Sequence, residues 1–254
     1  MKRLLKISLV LGLLAAGFSA CDDDDGYSLD KFWISYGVIE GNGDDYVRDY
    51  TIRLDNGSRL LLSANLVPGW PVKDGQRVIA NYTILGDSPR MDGTKDYYVR
   101  LNMLYDVLSK DVVKQSFIDE DEEVREDSIG HDPIDVAEAW FGGGFLNITF
   151  EILHGGGTHF INLVQDDARI SGDSVFLTLR HNAYSDPQAY RGFGYVSFDM
   201  VPLVPEGKTE LPVRLTWEGY DGQTHSDTGT FKLNAPATAP ESALRLDQIA
   251  TSVE

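Results

Sequence analysis

The sequence predicts an all-β protein, an OB-fold-like barrel followed by an antiparallel β-sandwich. Three observations lead there. Apolar residues recur at every second position in stretch after stretch, the mark of half-buried strands. Polar turns rich in Gly, Asn and Asp separate those stretches at short intervals. The first half carries no helical period. The 254 residues are more than one small core needs and suit two domains of about 100 residues each.

Residues 1–20 read as a signal peptide. Lys2, Arg3 and Lys6 precede an apolar run over residues 7–16, and small residues follow. The run is shorter than the roughly 20 residues that span a bilayer, and no polar residues alternate through it to make an amphipathic helix. Cys21, the only cysteine in the chain, comes next. Phe18-Ser19-Ala20-Cys21 resembles a bacterial lipobox, with Phe18 where Leu is usual, and Cys21 is the expected lipidation site. Each buried acyl CH₂ contributes about 0.8 kcal/mol, so two or more chains hold firmly. With no second cysteine there is no internal disulfide, and the fold must rest on its cores.

Residues 21–30 are then a lipidated acidic spacer. Asp22, Asp23, Asp24 and Asp25 read either as a solvated spacer or as a sorting tag. The block looks like the acidic export signal that follows the lipid cysteine in lipoproteins of the Bacteroidetes, which sends them to the outer face of the outer membrane. The expected location is therefore the outer membrane, surface-exposed.

Residues 31–115 are expected to form the barrel. Phe32, Ile34, Tyr36 and Val38 alternate with polar or small residues. So do Tyr50, Ile52 and Leu54, then Val78, Ala80, Tyr82 and Ile84, then Val99, Leu101, Met103, Tyr105 and Val107. At "LDNGSR" a two-residue loop would set Leu60 and Leu62 on the wrong face. A three-residue loop, Asp55-Asn56-Gly57, pairs Ile52 with Leu60 and Tyr50 with Leu62, with Gly57 left-handed. Such short, closely spaced strands suit a small closed barrel.

Residues 116–132, "SFIDEDEEVREDSIGHD", are dense in acid and lack periodicity, so they read as a linker. Asp132 and Pro133 could cap and open a short helix ended by Gly142, Gly143 and Gly144. Strands resume at Leu146, Ile148, Phe150 and Ile152 and continue through "HFINLV", "SVFLTLRH", "GYVSFDM", "PVRLTW" and "TFKL", giving a sandwich over residues 133–235. Residues 236–254 form a tail that begins rich in Pro and Ala.

The lipid cysteine, the stretch "GVIEG…RLDNGSRLLL…VKDGQRVIANYTI" and the stretch "DPIDVAEAWFGGGFLNITFEI…HFINLV…LTLRHNAYSD" followed by "VSFDM" resemble the NigD-like lipoproteins of the Bacteroidetes. The resemblance covers nearly the whole mature chain except the tail. It implies an N-terminal OB-like domain, a C-terminal β-sandwich and a bacteriocin-immunity-like role inferred from gene neighbourhood, with no functional residues to carry over. Asp127-Ser128-Ile129 also resembles the short O-glycosylation motif of that phylum, with Ser128 as acceptor. "DSV" at Asp173 matches too but is expected to open a strand.

Candidate chemistry is sparse. "LHGGGTHF" resembles the oxyanion segment of some esterases, but the partner pentapeptide G-x-S-x-G is missing from the chain. It reads as a glycine-rich hairpin turn flanked by the solvated histidines His154 and His159. None of His131, His154, His159, His181 and His225 has zinc spacing. The acids at 119–123 and at Asp44-Asp45 do not form an EF-hand loop. A glycosidase carboxylate pair would meet only in space and carries little weight here. Trp33, Trp70 and Tyr98 could stack bases, but the net charge opposes it. That charge goes from −18 to −21 when Lys2, Arg3 and Lys6 leave with the signal, which excludes nucleic acid and electrostatic binding to an anionic membrane. The expectation is a non-catalytic envelope binding protein that needs no cofactor or metal, with a protein or glycan partner and a membrane reached through its lipid. The competing reading is an envelope hydrolase acting on glycan or ester substrates.

Overall fold

The structure, a computed structural model, describes residues 27–41, 49–169 and 174–244. Strands β1 (Trp33–Glu40), β2 (Thr51–Leu54), β3 (Arg59–Asn65), β4 (Arg77–Pro89) and β5 (Lys95–Asp106) close into a barrel in the order β1-β2-β3-β5-β4. The β2–β3 turn has the expected three-residue loop. Ile52 stands opposite Leu60 and Gly57 takes φ +85°. Ile39, Ile52, Leu60, Val78, Val99 and Leu101 are fully buried in the barrel interior, each such side chain contributing about 1.5–3 kcal/mol.

Two faces differ from the sequence reading. On β1 the interior side is Trp33, Ser35, Gly37 and Ile39. Ser35 hydrogen-bonds the Tyr82 hydroxyl at 3.1 Å, and a Cβ on Gly37 would lie 2.6 Å from Ile52. Crowding inside a small barrel demands small residues there, so the more apolar set Ile34, Tyr36 and Val38 faces outward, while Phe32 lies just before β1 and is exposed. On β5 the register slips between Leu101 and Met103. The bulge at Asn102 returns Leu104 to the interior and leaves Met103 47% exposed.

The second unit begins earlier than expected. β6 (Leu108–Lys110) and β7 (Val113–Lys114) already belong to sandwich sheets. The acidic segment is no bare linker. It forms α1 (Gln115–Asp119) and α2 (Glu122–Ile129). Ile118 and Ile129 bury against Val113 and Val164, and Arg180 pairs with Glu126 at 2.6 Å. Two buried isoleucines and one partly exposed ion pair hold otherwise solvated helices in place.

Residues 135–142 form strand β8 (Asp135–Gly142), where the sequence predicts a helix. A bulge at Ala137 puts Val136 and Ala139 on the same face, a three-residue spacing that imitates a helical period. Gly143 and Gly144 then make a two-residue hairpin turn with positive φ at both positions. β9 (Phe145–His154), β10 (Phe160–Gln165), β11 (Val175–Asn182), β12 (Tyr190–Asp199), β13 (Glu210–Glu218) and β14 (Thr224–Lys232) complete the unit.

The two sheets run β14-β13-β11-β10-β7 and β6-β12-β9-β8. Phe150, Phe198, Phe231, Ile148 and Leu163 fill the space between them. The sandwich is not wholly antiparallel, since β11–β13, β7–β10 and β6–β12 run parallel. β9 and β10 lie in different sheets, so residues 155–159 form a crossover between layers and not a hairpin.

Barrel and sandwich meet through a third cluster. Tyr36, Ile79 and Val107 bury with Ile34, Trp140, Tyr195 and Leu244, and the Tyr36 and Trp140 rings meet edge to face at 5.2 Å. Beside it Arg77, fully buried, forks onto Asp55 at 2.5 and 2.6 Å and donates to Asn147 Oδ1 at 2.9 Å. The start of the tail returns to the barrel. Ala237 N donates to the Asp55 carbonyl at 2.9 Å, and Tyr36 Oη donates to the Ala243 carbonyl at 3.5 Å.

Candidate functional site

A buried polar cluster lies where β10 starts and β11 ends, beside the 155–159 crossover. β10 and β11 pair antiparallel with Ile161 opposite His181, which brings His159 alongside. Both histidines are fully buried. His159 Nδ1 and His181 Nε2 are 2.7 Å apart, and His181 Nδ1 lies 2.8 Å from the Pro133 carbonyl. At the other end His159 Nε2 lies 3.1 Å from Asp186 Oδ2.

Asp186 sits in the loop 183–189 and also accepts backbone N–H bonds from Gly155 at 2.5 Å and Gly157 at 3.1 Å. Its carboxyl is pulled down to about 2, first by the Gly155 N–H, then by His159 and the Gly157 N–H. A Cβ at Gly157 would stand 2.7 Å from Asp186 Oδ1, so glycine is required there for close approach. Burial lowers the pKa of His181, and neighbouring His159 adds to that, against the raising effect of the Pro133 carbonyl and Asp132.

The loop is strained. Tyr184 and Ser185 take φ +47° and +63°, two consecutive non-glycine residues in the left-handed region, at a cost of order 1–3 kcal/mol each. Asn182 Oδ1 accepts the Tyr184 N–H at 2.9 Å and Asp132 Oδ2 accepts the Ala183 N–H at 2.7 Å. These bonds fix the loop so that Tyr184 stays 53% exposed, its ring edge-on to Phe160. Tyr190, 68% exposed, lies near His154 on the same end of the sandwich. The Nδ1 atom of His154 is buried without a hydrogen-bond partner among the described residues.

A second exposed face lies on the barrel. Leu85, Tyr98 and Met103 stand out of β4 and β5. Between them, Arg100 and Asn102 both hydrogen-bond Thr83 Oγ1. The cleft between barrel and sandwich, about 460 Å³, is lined by Arg53, Asp55, Gly143, Val201 and Asn234 among others. Among the described residues Asp55 is the only carboxylate in that lining, and it is bonded to Arg77. Among the described residues no group of three His, Cys, Asp or Glu could hold a metal ion, and no helix is long and apolar enough to cross a membrane.

Cys21 and Asp22, Asp23, Asp24 and Asp25 lie outside the described residues, as does the Asp44-Asp45 pair. Ser128 is exposed, but in the last turn of α2 and not in a linker. Trp33 packs into the barrel against Tyr82. The sequence reading places His159 in a solvated turn, whereas the fold buries it. It also misses Asp186 and the partnership with His181, which lies 22 residues away. No local spacing encodes such a meeting. The run "NAYSDP" after a strand is the only signal there, and it signals a turn.

Two family models match the chain. The NigD-like N-terminal OB domain matches residues 40–107, and the NigD-like C-terminal β-sandwich domain matches residues 116–232. No curated protein matches. Among solved structures, a protein from Parabacteroides distasonis described as toxin-related is 30% identical, with 80% of this chain and 94% of that chain covered and a TM-score of 0.64. A NigD-like immunity protein from Bacteroides caccae is 19% identical over 81% and 99% of the two chains, with a TM-score of 0.59. A protein of Bacteroides fragilis described as a lipoprotein is 11% identical over 82% and 100%, with a TM-score of 0.52.

Proposed function

The chain belongs to the NigD-like family, and from that premise we propose that it is a lipid-anchored envelope protein that binds a protein partner in an immunity-like role, without catalysing a reaction. One observation carries the reading: the strained loop that holds Tyr184 outward. A fold that tolerates two left-handed non-glycine residues to present one aromatic ring has its reason at the surface. Tyrosine supplies large contact area at low entropic cost and is enriched where interfaces concentrate their energy. Tyr190 extends the same face. The description of the 30% identical relative as toxin-related and of the 19% identical one as an immunity protein supports the direction, and the lipobox at Cys21 supplies the anchor.

The test is photo-crosslinking in intact cells, with a photoreactive residue at position 184 or 190 of the anchored full chain and at Glu206 as an exposed control. The expected result is a discrete adduct from positions 184 and 190 that position 206 does not give. The adduct protein should then bind the purified chain, and more weakly when it carries Tyr184→Ala and Tyr190→Ala. Adducts identical at all three positions would remove the loop from the binding surface.

A further inference from the structure

We propose that His159, His181 and Asp186 form an internal proton-binding site, which retains one proton beyond those of two neutral imidazoles and thereby fastens the loop that presents Tyr184. The hydrogen-bond geometry fixes the number of protons. Asp186 Oδ2 and the Pro133 carbonyl end the chain, and an ionised carboxylate and a carbonyl can only accept. Three contacts join these ends through two rings, at 3.1, 2.7 and 2.8 Å. Each requires one proton. Two neutral imidazoles carry one N–H each, so one of the three contacts would set two lone pairs against each other. Both ring atoms at the 2.7 Å contact belong to fully buried residues, where water cannot relieve such a clash. A third proton satisfies all three bonds and leaves the carboxylate and the imidazolium neutral as a pair.

The extra charge sits on His159, because its Nε2 lies 3.1 Å from the Asp186 carboxylate, whereas His181 Nδ1 faces only the neutral Pro133 carbonyl. His159 then donates from both nitrogens, to Asp186 and to His181 Nε2, while His181 donates from Nδ1 to Pro133. The surrounding groups fit this placement. His154 on β9 faces the His159 ring edge-on at 6.4 Å, and Tyr190 at the start of β12 stands behind His154. Asp132, between α2 and β8, favours positive charge from the His181 side. Arg180, the neighbour of His181 on β11, is taken up by Glu126, the Gly130 carbonyl and His131 near α2. When the third proton leaves, one of the three bonds is lost. Asp186 then holds the loop and the crossover by fewer contacts.

The count rests on geometry alone. Only its bearing on partner binding rests on the reading given above. The experiment is long-range ¹H–¹⁵N correlation of the histidine side chains in the full mature chain at pH 7. Three protonated nitrogens and one bare nitrogen, His181 Nε2, are expected across His159 and His181. Two protonated and two bare nitrogens would overturn the proposal. In Asp186→Asn the count should fall to two, because the amide cannot hold the imidazolium as an ion pair. Three retained there would show that the carboxylate is not what binds the proton. In the wild type, protection of the Gly155 and Gly157 amides, measured relative to their intrinsic exchange rate at each pH, should fall about tenfold as the third proton is titrated off, the size expected for one charge-assisted bond. Unchanged protection across that titration would show that the proton does not fasten the loop. If the Asn variant fails to fold, the wild-type count still decides the proton site.

Discussion

Arg77 of the barrel donates a hydrogen bond to Asn147 of the sandwich at 2.9 Å while holding Asp55 with both arms of its guanidinium. Asn147 also accepts from Ser197 at 2.8 Å, and the Arg77 guanidinium lies 5.1 Å from the rings of both Tyr36 and Phe145. Charge, amide and aromatic faces from both units thus converge on one side chain.

Asp55→Ala should therefore destabilise the whole chain. Removing one partner of a buried ion pair typically costs about 3–5 kcal/mol, because the other charge stays buried without compensation. Urea unfolding followed by circular dichroism should show one transition for wild type and a large loss in the variant. Two separate transitions in wild type would mean that the join does not couple the units.

The acidic segment should resist proteases. A bare linker over residues 116–132 would be cut first, but Ile118 and Ile129 are buried there and Glu126 is paired. Limited proteolysis should spare it, and Ile118→Ala should expose it at a cost of about 2–5 kcal/mol. Early cutting of the wild type in this segment would contradict the packing.

Stability should fall with acid in two steps. His181 has its pKa lowered by folding, so the unfolded chain binds that proton more readily. Its contribution is full above about pH 6.5 and declines as pH falls from there toward the lower folded value. Asp186, held at about 2, contributes fully above about pH 4 and loses that contribution as pH falls toward 2. Thermal melts across pH 7.5 to 2 should show both slopes. His181→Gln should flatten the upper slope and leave the lower one. A profile unchanged by His181→Gln would refute the assignment.

Anchoring and sorting should separate. Cys21→Ser should abolish fatty-acid incorporation. Replacing Asp22, Asp23, Asp24 and Asp25 with serine keeps length and solvation, so the chain should stay membrane-bound but lose accessibility to protease added outside intact cells. Equal surface digestion of the two forms would reduce the block to a spacer.

The barrel, the sandwich and the β2–β3 loop were legible because alternation and turn chemistry are local. What misled was local imitation. The bulge at Ala137 gave β8 a helix-like spacing, and the crowded interior of β1 put its greasier residues outside. The acidic helices were hidden because their composition reads as solvated, and their buried side chains are two isoleucines, Ile118 and Ile129. The site at His159 and Asp186 was illegible for a different reason. Its members lie on β11, a crossover and a strained loop, and only the completed sheets bring them together.

The returning tail bears on the order of assembly. A ribosome releases the barrel sequence first, and domains generally fold as they emerge. Yet the outer side of β1 is covered by Trp140 and Leu244, and the Tyr36 hydroxyl finds its acceptor 207 positions downstream. Until Asn147 emerges, Arg77 lacks its sandwich partner, and until Ala243 and Leu244 emerge, Tyr36 lacks its acceptor and part of its cover. Contacts so distant along the chain slow closure. The cover of the barrel at Tyr36 is therefore complete only after residues 243–244 have been made, well after every barrel strand.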